Sequence, residues 1–227
     1  MSRANLLLAL LVAILPVIGL AWLIYRADLH EREARQPVLT AFTLGILIFI
    51  PARFGEAWLL QQWGSAAGLA SSLLVAFGVI APVEEGCKAV TLRAYPYSRP
   101  FFNEPMDGIV FAGMIGLGFA LSENLYFAWT HAWQATVFRA LTTVPMHAIL
   151  AIILGYWVGR ARFDAPRELY LWLIGIGSTW LLHGAYNFLL LQEAYDGLLY
   201  LSAPLLGAAV LLAIDLVRRH QDNSPFR

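Results

Sequence analysis

The sequence is short of charge and almost without cysteine. Only 13% of its 227 residues are Asp, Glu, Lys or Arg. Four long stretches contain none of them: Ala4 to Tyr25, Ala57 to Val83, Ala140 to Gly159 and Leu169 to Gln192. The lone cysteine, Cys87, excludes an intrachain disulfide. Fifteen basic residues balance fifteen acidic ones, so net charge points to no nucleic acid and no acidic partner. No low-complexity tract and no repeat breaks the chain, which reads as a single membrane domain over 1–227. What fills the sequence instead is apolar. Hydrophobic residues make up 59% of it, and the mean hydropathy is +0.65, well above a soluble domain of this size.

A helix needs about 20 apolar residues to cross the hydrocarbon core. The alternating polarity of a membrane β-barrel is missing. The expected fold is therefore all-α, a polytopic transmembrane helix bundle of about seven spans: 5–25, 38–59, 66–92, 106–129, 139–159, 169–191 and 197–217. The first is read as a retained span, since no small-residue cleavage site follows Tyr25. The second is interrupted by Pro51, Arg53, Gly55 and Glu56, where a kink or an interfacial end is expected. Arg26, Arg32, Arg35, Arg93, Arg99, Arg160, Arg162, Arg167, Arg218, Arg219 and Arg227 fall on alternate connections and the tail. The bias predicts an outside N-terminus and a cytoplasmic C-terminus in a bacterial-type inner membrane. Trp58, Trp63, Trp129 and Trp133 then mark the outer boundary, and Trp157 and Trp172 the inner one.

Ionisable residues within spans are costly, so each needs a reason. Four places stand out: Glu84, Glu85 and Lys88; Ser122, Glu123 and Asn124; His147; and His183 with Asn187. With a rise of 1.5 Å per residue, Glu123, His147 and His183 lie roughly 21, 18 and 22 Å above the inner boundary. Three residues on three helices thus share one level. One Glu and two His are a known catalytic zinc set with an open position for water. Glu84 falls lower, at roughly 10 Å, and the sequence does not say what closes that gap. Lys88 lies within reach of both Glu84 and Glu85. One Glu is assigned to catalysis and the other to the Lys88 pair, without a choice between them. Asn187, one turn after His183, is placed to orient water or a substrate carbonyl. Ala112, Gly116 and Ala120 form a small-residue stripe for close helix approach. Arg53 with Glu56 reads as an interfacial pair, and His30, His131 and His220 carry no signal.

At these residues the chain resembles the PrsW family of intramembrane metalloproteases, grouped with the CAAX prenyl endoproteases. The matching motifs are Glu-Glu-x-x-Lys at Glu84, Glu85 and Lys88, and Phe-x-x-x-Glu-Asn at Phe119, Glu123 and Asn124. A His follows at His147, and a His-Gly-x-x-Asn motif at His183, Gly184 and Asn187. Together they make 81–187 the active-site core. The CAAX endoproteases have His where this chain has Glu123, which favours the PrsW branch and argues against a prenylated substrate. The resemblance implies a zinc-dependent endopeptidase acting in the lipid bilayer on a membrane-anchored protein, an anti-sigma factor in the family's stress-response role. Zn²⁺ would sit on Glu123, His147 and His183, with Glu84 or Glu85 as general base, Asn187 at the carbonyl, and Lys88 and Asn124 supporting. A metal-free variant, in which Glu activates water beside two His, follows from the CAAX relatives. The rivals are a proton-coupled transporter and a non-catalytic CAAX-like scaffold. No inverted repeat supports the former. The oligomeric state is not legible.

Overall fold

A computed structural model describes residues 3–63 and 68–227. Those residues form helices joined by short connections, with no strand among them. The order is α1 (Arg3–Ala27), α2 (Arg35–Trp63), α3 (Leu69–Leu73), a π-helical segment (Leu74–Ile80), α4 (Ala81–Ala94), α5 (Pro105–Thr130), α6 (Trp133–Leu141), α7 (Thr143–Arg162), α8 (Glu168–Leu191), α9 (Asp196–Leu199) and α10 (Ser202–Asp222). The expected all-α membrane bundle is what the chain forms.

Five helical stretches are long and apolar enough to cross a membrane: Leu7–Ala27, Arg35–Trp63, Pro105–Thr130, Trp133–Arg162 and Asp196–Asp222. The other two expected crossings correspond to the composite of α3, the π segment and α4, and to α8. These two carry Glu84, Glu85, Lys88 and His183, and the first is divided by the π segment into short helices. The expected start of the third span, at 66, lies outside the described residues. The second span does not break at Pro51: α2 runs through it for 29 residues. A proline removes one backbone donor, and here it does so without ending the helix. The fifth crossing does break, at Thr142, between α6 and α7. Pro145 stands in the first turn of α7, where its missing N–H costs nothing. In a continuous helix its ring would meet the carbonyl one turn earlier.

Burial ranks the helices. In α5, 83% of the span residues are buried, against 22% in α1 and α2 and 11% in the last span. So α5 is the central post, and α1, α2 and α7 pack around it. The outer helices turn Leu11, Leu15, Leu47, Phe54 and Leu211 outward, as surfaces facing lipid should. Between transmembrane helices hydrophobicity gives no net pull, so close backbone approach and polar contacts decide packing. Gly118 of α5 lies against Phe42 and Gly45 of α2, and a Cβ there would fall onto the Phe42 carbonyl oxygen. Gly108 of α5 and Gly155 of α7 are matched in the same way. Of the expected stripe, Gly116 does meet α7, at Ala151 and the His147 carbonyl. Trp172, expected at a membrane boundary, is buried and packs edge-on against Tyr97, 5.2 Å between rings.

The Gln221 amide donates to the Ala27 carbonyl at 2.6 Å, so the end of α10 sits beside the α1–α2 connection. Four buried acids gather at this end: Asp28, Glu33, Glu104 and Asp107. Burial, with Glu104 nearby, raises the Asp28 carboxyl to about 6, and burial raises Glu33 to about 7.

Changing Gly118 to Ala places a methyl on backbone that cannot yield, and should destabilise the fold by about 1–3 kcal/mol. Gly207 in α10 has open space around it. Gly207→Ala should be neutral or stabilising by up to about 1 kcal/mol, since Ala is the better helix former. Thermal melts of the detergent-solubilised chain compare the two.

Candidate active site

The π segment sets up the site. The Ala81 amide donates to the Ala76 carbonyl, one residue further back than in an α-helix. The next such bond would need an N–H from Pro82, which has none. The stranded Phe77 carbonyl accepts instead from the Trp180 indole of α8 at 2.7 Å. Gly184, one residue after His183, lets α8 press against the Phe77 ring, leaving no room for a side chain. A π insertion in a helix often marks a functional site because it re-aims the residues that follow. Here those residues are Glu84, Glu85 and Lys88, on the first turns of α4.

Lys88 is the only lysine in the chain. It is 3% exposed, and its Nζ touches three groups: Glu85 Oε1 at 2.7 Å, His147 Nδ1 at 3.0 Å and Glu84 Oε2 at 3.5 Å. Its ammonium also lies 4.6 Å from the centre of the Phe119 ring, a favourable cation–π placement. An ammonium only donates, so His147 Nδ1 is an acceptor and its proton sits on Nε2. That Nε2–H donates to Glu123 Oε2 at 2.9 Å. His183 takes the opposite form. Its Nδ1 donates to Glu85 Oε1 at 2.8 Å, which leaves Nε2 with a free lone pair. The two imidazole rings stand edge to face at 5.4 Å.

The expected difference in depth between Glu84 and the histidines is absent. The helix carrying Glu84 runs past Val90 to Ala94, which raises it by roughly 6 Å at 1.5 Å per residue. Ligating atoms of Glu84, Glu85, His147 and His183 all lie within 4.8 Å of one another. Glu123 is outside this group. It reaches His147 and forms an ion pair with Arg139 of α6 at 2.6 Å. Asn124 faces away: its amide points to the Ala13 carbonyl of α1 at 3.5 Å. Asn187 lines the neighbouring cavity, one turn past His183.

That cavity holds about 770 Å³ and opens between the ends of α2, α5, α6 and α8. Glu84 and Glu123 reach it, whereas Glu85, His147 and His183 lie behind them. Arg53, Glu56, Arg139 and Thr143 also line it. Arg53 and Glu56, 3.2 Å apart, pair on the wall of this cavity. Arg139 and Thr143 are residues that sequence reasoning passed over. For Thr143 the available signal was its spacing, one turn ahead of His147 on the same helix; Arg139 lies on α6, across the break at Thr142, where spacing gives no signal. Of the histidines without signal, His131 stands at the cavity rim. His220 is buried against Tyr156 and bonds its carbonyl at 3.0 Å.

A helical membrane protein with adjacent buried carboxylates, two histidines and a cavity opening onto one of that adjacent pair has the equipment of an intramembrane hydrolase. Comparison with known proteins gives the family. Residues 33–214 match the PrsW family intramembrane metalloprotease, and the chain belongs to that family. It is 33% identical to Protease PrsW of Bacillus subtilis (strain 168) over 178 residues, covering 78% of this chain and 80% of that one. It is 33% identical to Protease PrsW of Geobacillus kaustophilus (strain HTA426), covering 78% and 77%. Against Protease PrsW of Clostridioides difficile (strain 630) the identity is 31%, with 81% and 79% covered. No solved structure matches. The chain is thus an integral membrane protein of a protease family.

Replacing Lys88 with Met keeps the stem and removes the charge from between two buried carboxylates. Leaving such charges uncompensated should cost about 3–5 kcal/mol. The check is denaturant unfolding in detergent, with Arg93→Met, at the exposed end of α4, as the near-neutral comparison.

Proposed function

We propose that this chain hydrolyses a peptide bond of a membrane-anchored protein at the cavity face of Glu84. The observation that carries the reading is the division of labour within the Glu pair. Glu85 is held by Lys88 and His183, whereas Glu84 alone of the two reaches the cavity. Neighbouring residues on a helix point about 100° apart, so one carboxylate serves the interior and the other the substrate side. Glu84 takes a proton from water in the cavity and returns it to the leaving amine. Arg139 and Asn187, on the cavity wall, steady the charge that grows on the carbonyl oxygen. Arg53, Glu56 and Glu123 keep the cavity polar enough to admit water at this depth.

The donor set fits a zinc-type ion: two imidazoles, and carboxylates within reach. His183 already carries the carboxylate partner that zinc-bound histidines usually have. His147 and His183 would hold the ion, the His147 Nε2–H now given to Glu123 being lost on binding, with Glu123 beside them and Glu84 left free as the base. A bound zinc would supply Lewis-acid polarisation and a more acidic water. Lys88 favours a second version. Its ammonium fills the space between Glu84, Glu85 and His147, neutralising the carboxylates without metal. In that version His183 Nε2 shares the proton traffic with Glu84.

The substrate class is a membrane-anchored protein of the anti-sigma-factor kind, as the family resemblance implies. The basic residues orient the bundle with α10 ending in the cytoplasm, which turns the cavity outward in a bacterial inner membrane.

The chain in liposomes with a membrane-anchored reporter should cleave it. Glu84→Gln should lower kcat about 10²–10⁴-fold, the usual worth of a general base, in a chain that still folds and melts cooperatively. Normal cleavage by that variant would refute the assignment. Loss of activity on chelation, restored by Zn²⁺ and accompanied by metal loss in His183→Ala, selects the zinc version. Full activity in chelator selects the Lys88 version. Reporter fusions after Arg35, Arg99, Arg162 and Arg219 should all report cytoplasm, and outside signals at two of them would overturn the orientation.

A further inference from the structure

At the other end of α5, away from the cavity, stand the buried acids of the α1–α2 connection and the α5 N-terminus. Ligand oxygens of Asp28, Glu104 and Asp107 lie within 4.8 Å of one another. The three side chains are between 0% and 1% exposed. Among the described residues, no Lys, Arg or His nitrogen lies within 4.0 Å of any of them.

Helix capping accounts for part of the arrangement. Glu104 and Asp107 form a reciprocal capping box at the start of α5. Asp107 Oδ2 accepts from the Asn103 and Glu104 amides at 2.7 and 2.8 Å. Glu104 Oε2 accepts from the Ser224 hydroxyl of the C-terminal tail. Capping leaves the other oxygens over. Glu104 Oε1, Asp107 Oδ1 and both carboxylate oxygens of Asp28 have no hydrogen-bond partner. Asp28 caps nothing, and it is 1% exposed. A buried carboxylate with neither donor nor counter-charge is expensive to keep, and its placement against two further carboxylates adds repulsion. A proton on one of these carboxyls, or a cation where their oxygens converge, relieves that repulsion.

We infer that Asp28, Glu104 and Asp107 form a binding site for a hard divalent cation, Mg²⁺ or Ca²⁺, separate from the peptidase centre. The class of ion follows from the donors. All are carboxylate oxygens, with no imidazole or thiolate among them, which suits hard cations and not zinc. The buried Glu33 abuts Asp107 and is a fourth oxygen donor within the same neighbourhood. The site joins pieces distant in sequence: the end of α1, the following loop, the start of the central helix and the tail after α10. A bound ion would pin these together at the end of the bundle opposite the cavity. The inference does not depend on the peptidase reading.

The test uses the full chain in detergent, stripped with EDTA, at pH 7. Phenanthroline is kept present so that transition metals stay off the histidine centre. Mg²⁺ and Ca²⁺ are titrated separately by calorimetry and by thermal melt. We expect one saturable site per chain for at least one of them, with a raised Tm. Trypsin cleavage after Arg32, in the loop between Asp28 and Glu33, should be slowed by the cation. Asp28→Asn, close in shape, should weaken binding about 10-fold or more and abolish the protection. If that variant does not fold, Glu104→Gln carries the same comparison. No binding up to about 10 mM, beyond the weakest protein calcium modules, would overturn the inference. So would unchanged binding in a folded variant, or unaltered cleavage after Arg32 at saturating cation.

Discussion

One buried ammonium organises this molecule. Lys88 lies among two carboxylates and an imidazole where water is scarce, and each of those groups depends on the others for its charge or tautomer. Removed singly, any of them leaves a buried polar group unpaired, a cost that grows as the dielectric falls. The helices that bear them, α4, α7 and α8, therefore cannot slide or rotate independently. Glu123 extends the network to α5, and Arg139 extends it to α6. The packing of the bundle around its central helix and the geometry of its reactive centre are thus one constraint seen from two sides.

Backbone detail makes that constraint attainable. Glycines at the α2–α5 and α5–α7 crossings bring the helix axes close enough for short side chains to meet across them. Pro82 and the π segment shift the aim of α4 by one residue's worth of rotation. The carbonyl this frees is taken by Trp180, from the same helix that bears His183. The indole bond thus fixes α8 against α4 close to the point where His183 meets Glu85. A regular helix through this segment would leave Trp180 without its acceptor and would turn the Glu pair to a different face.

The helical class and most crossings were legible because membrane helices announce themselves by length and apolarity. The polar motifs were legible because an ionisable residue in a span needs a reason. Glu84 and Glu85 could not be told apart in the sequence, since their roles depend on which side of α4 faces α8 and which faces the cavity. Glu123 read as one more ligand at the level of the histidines. Its tie to Arg139 depends on α6, which exists as a separate helix because of the break at Thr142. Asn124 sat in a motif yet faces α1, and motif spacing is silent about facing. Lys88 carried an unused signal: a chain with fourteen arginines and one lysine has placed that lysine where a compact, single-point charge fits and a planar guanidinium does not. The acids at Asp28, Glu104 and Asp107 were invisible as a group, since only the fold brings the first connection to the start of α5.

Those two polar centres occupy opposite ends of the same post. Near the cavity end of α5, Glu123 faces a network that compensates its own charges through Lys88 and Arg139, with two histidines as hydrogen-bond partners. At the other end, among the described residues, the oxygens around Asp107 have no Lys, Arg or His nitrogen within 4.0 Å. The difference follows from what each end is asked to do. A reactive centre must hold its protons and charges in place through a cycle, so its compensation is covalently attached and cannot diffuse away. A junction between a loop, a helix start and a tail needs only to be held together, and a small ion from solution does this without spending a side chain. On this argument the lysine, arginine and acids gathered around the two ends of α5 separate the proposed peptidase centre from the end that a bound ion would fasten.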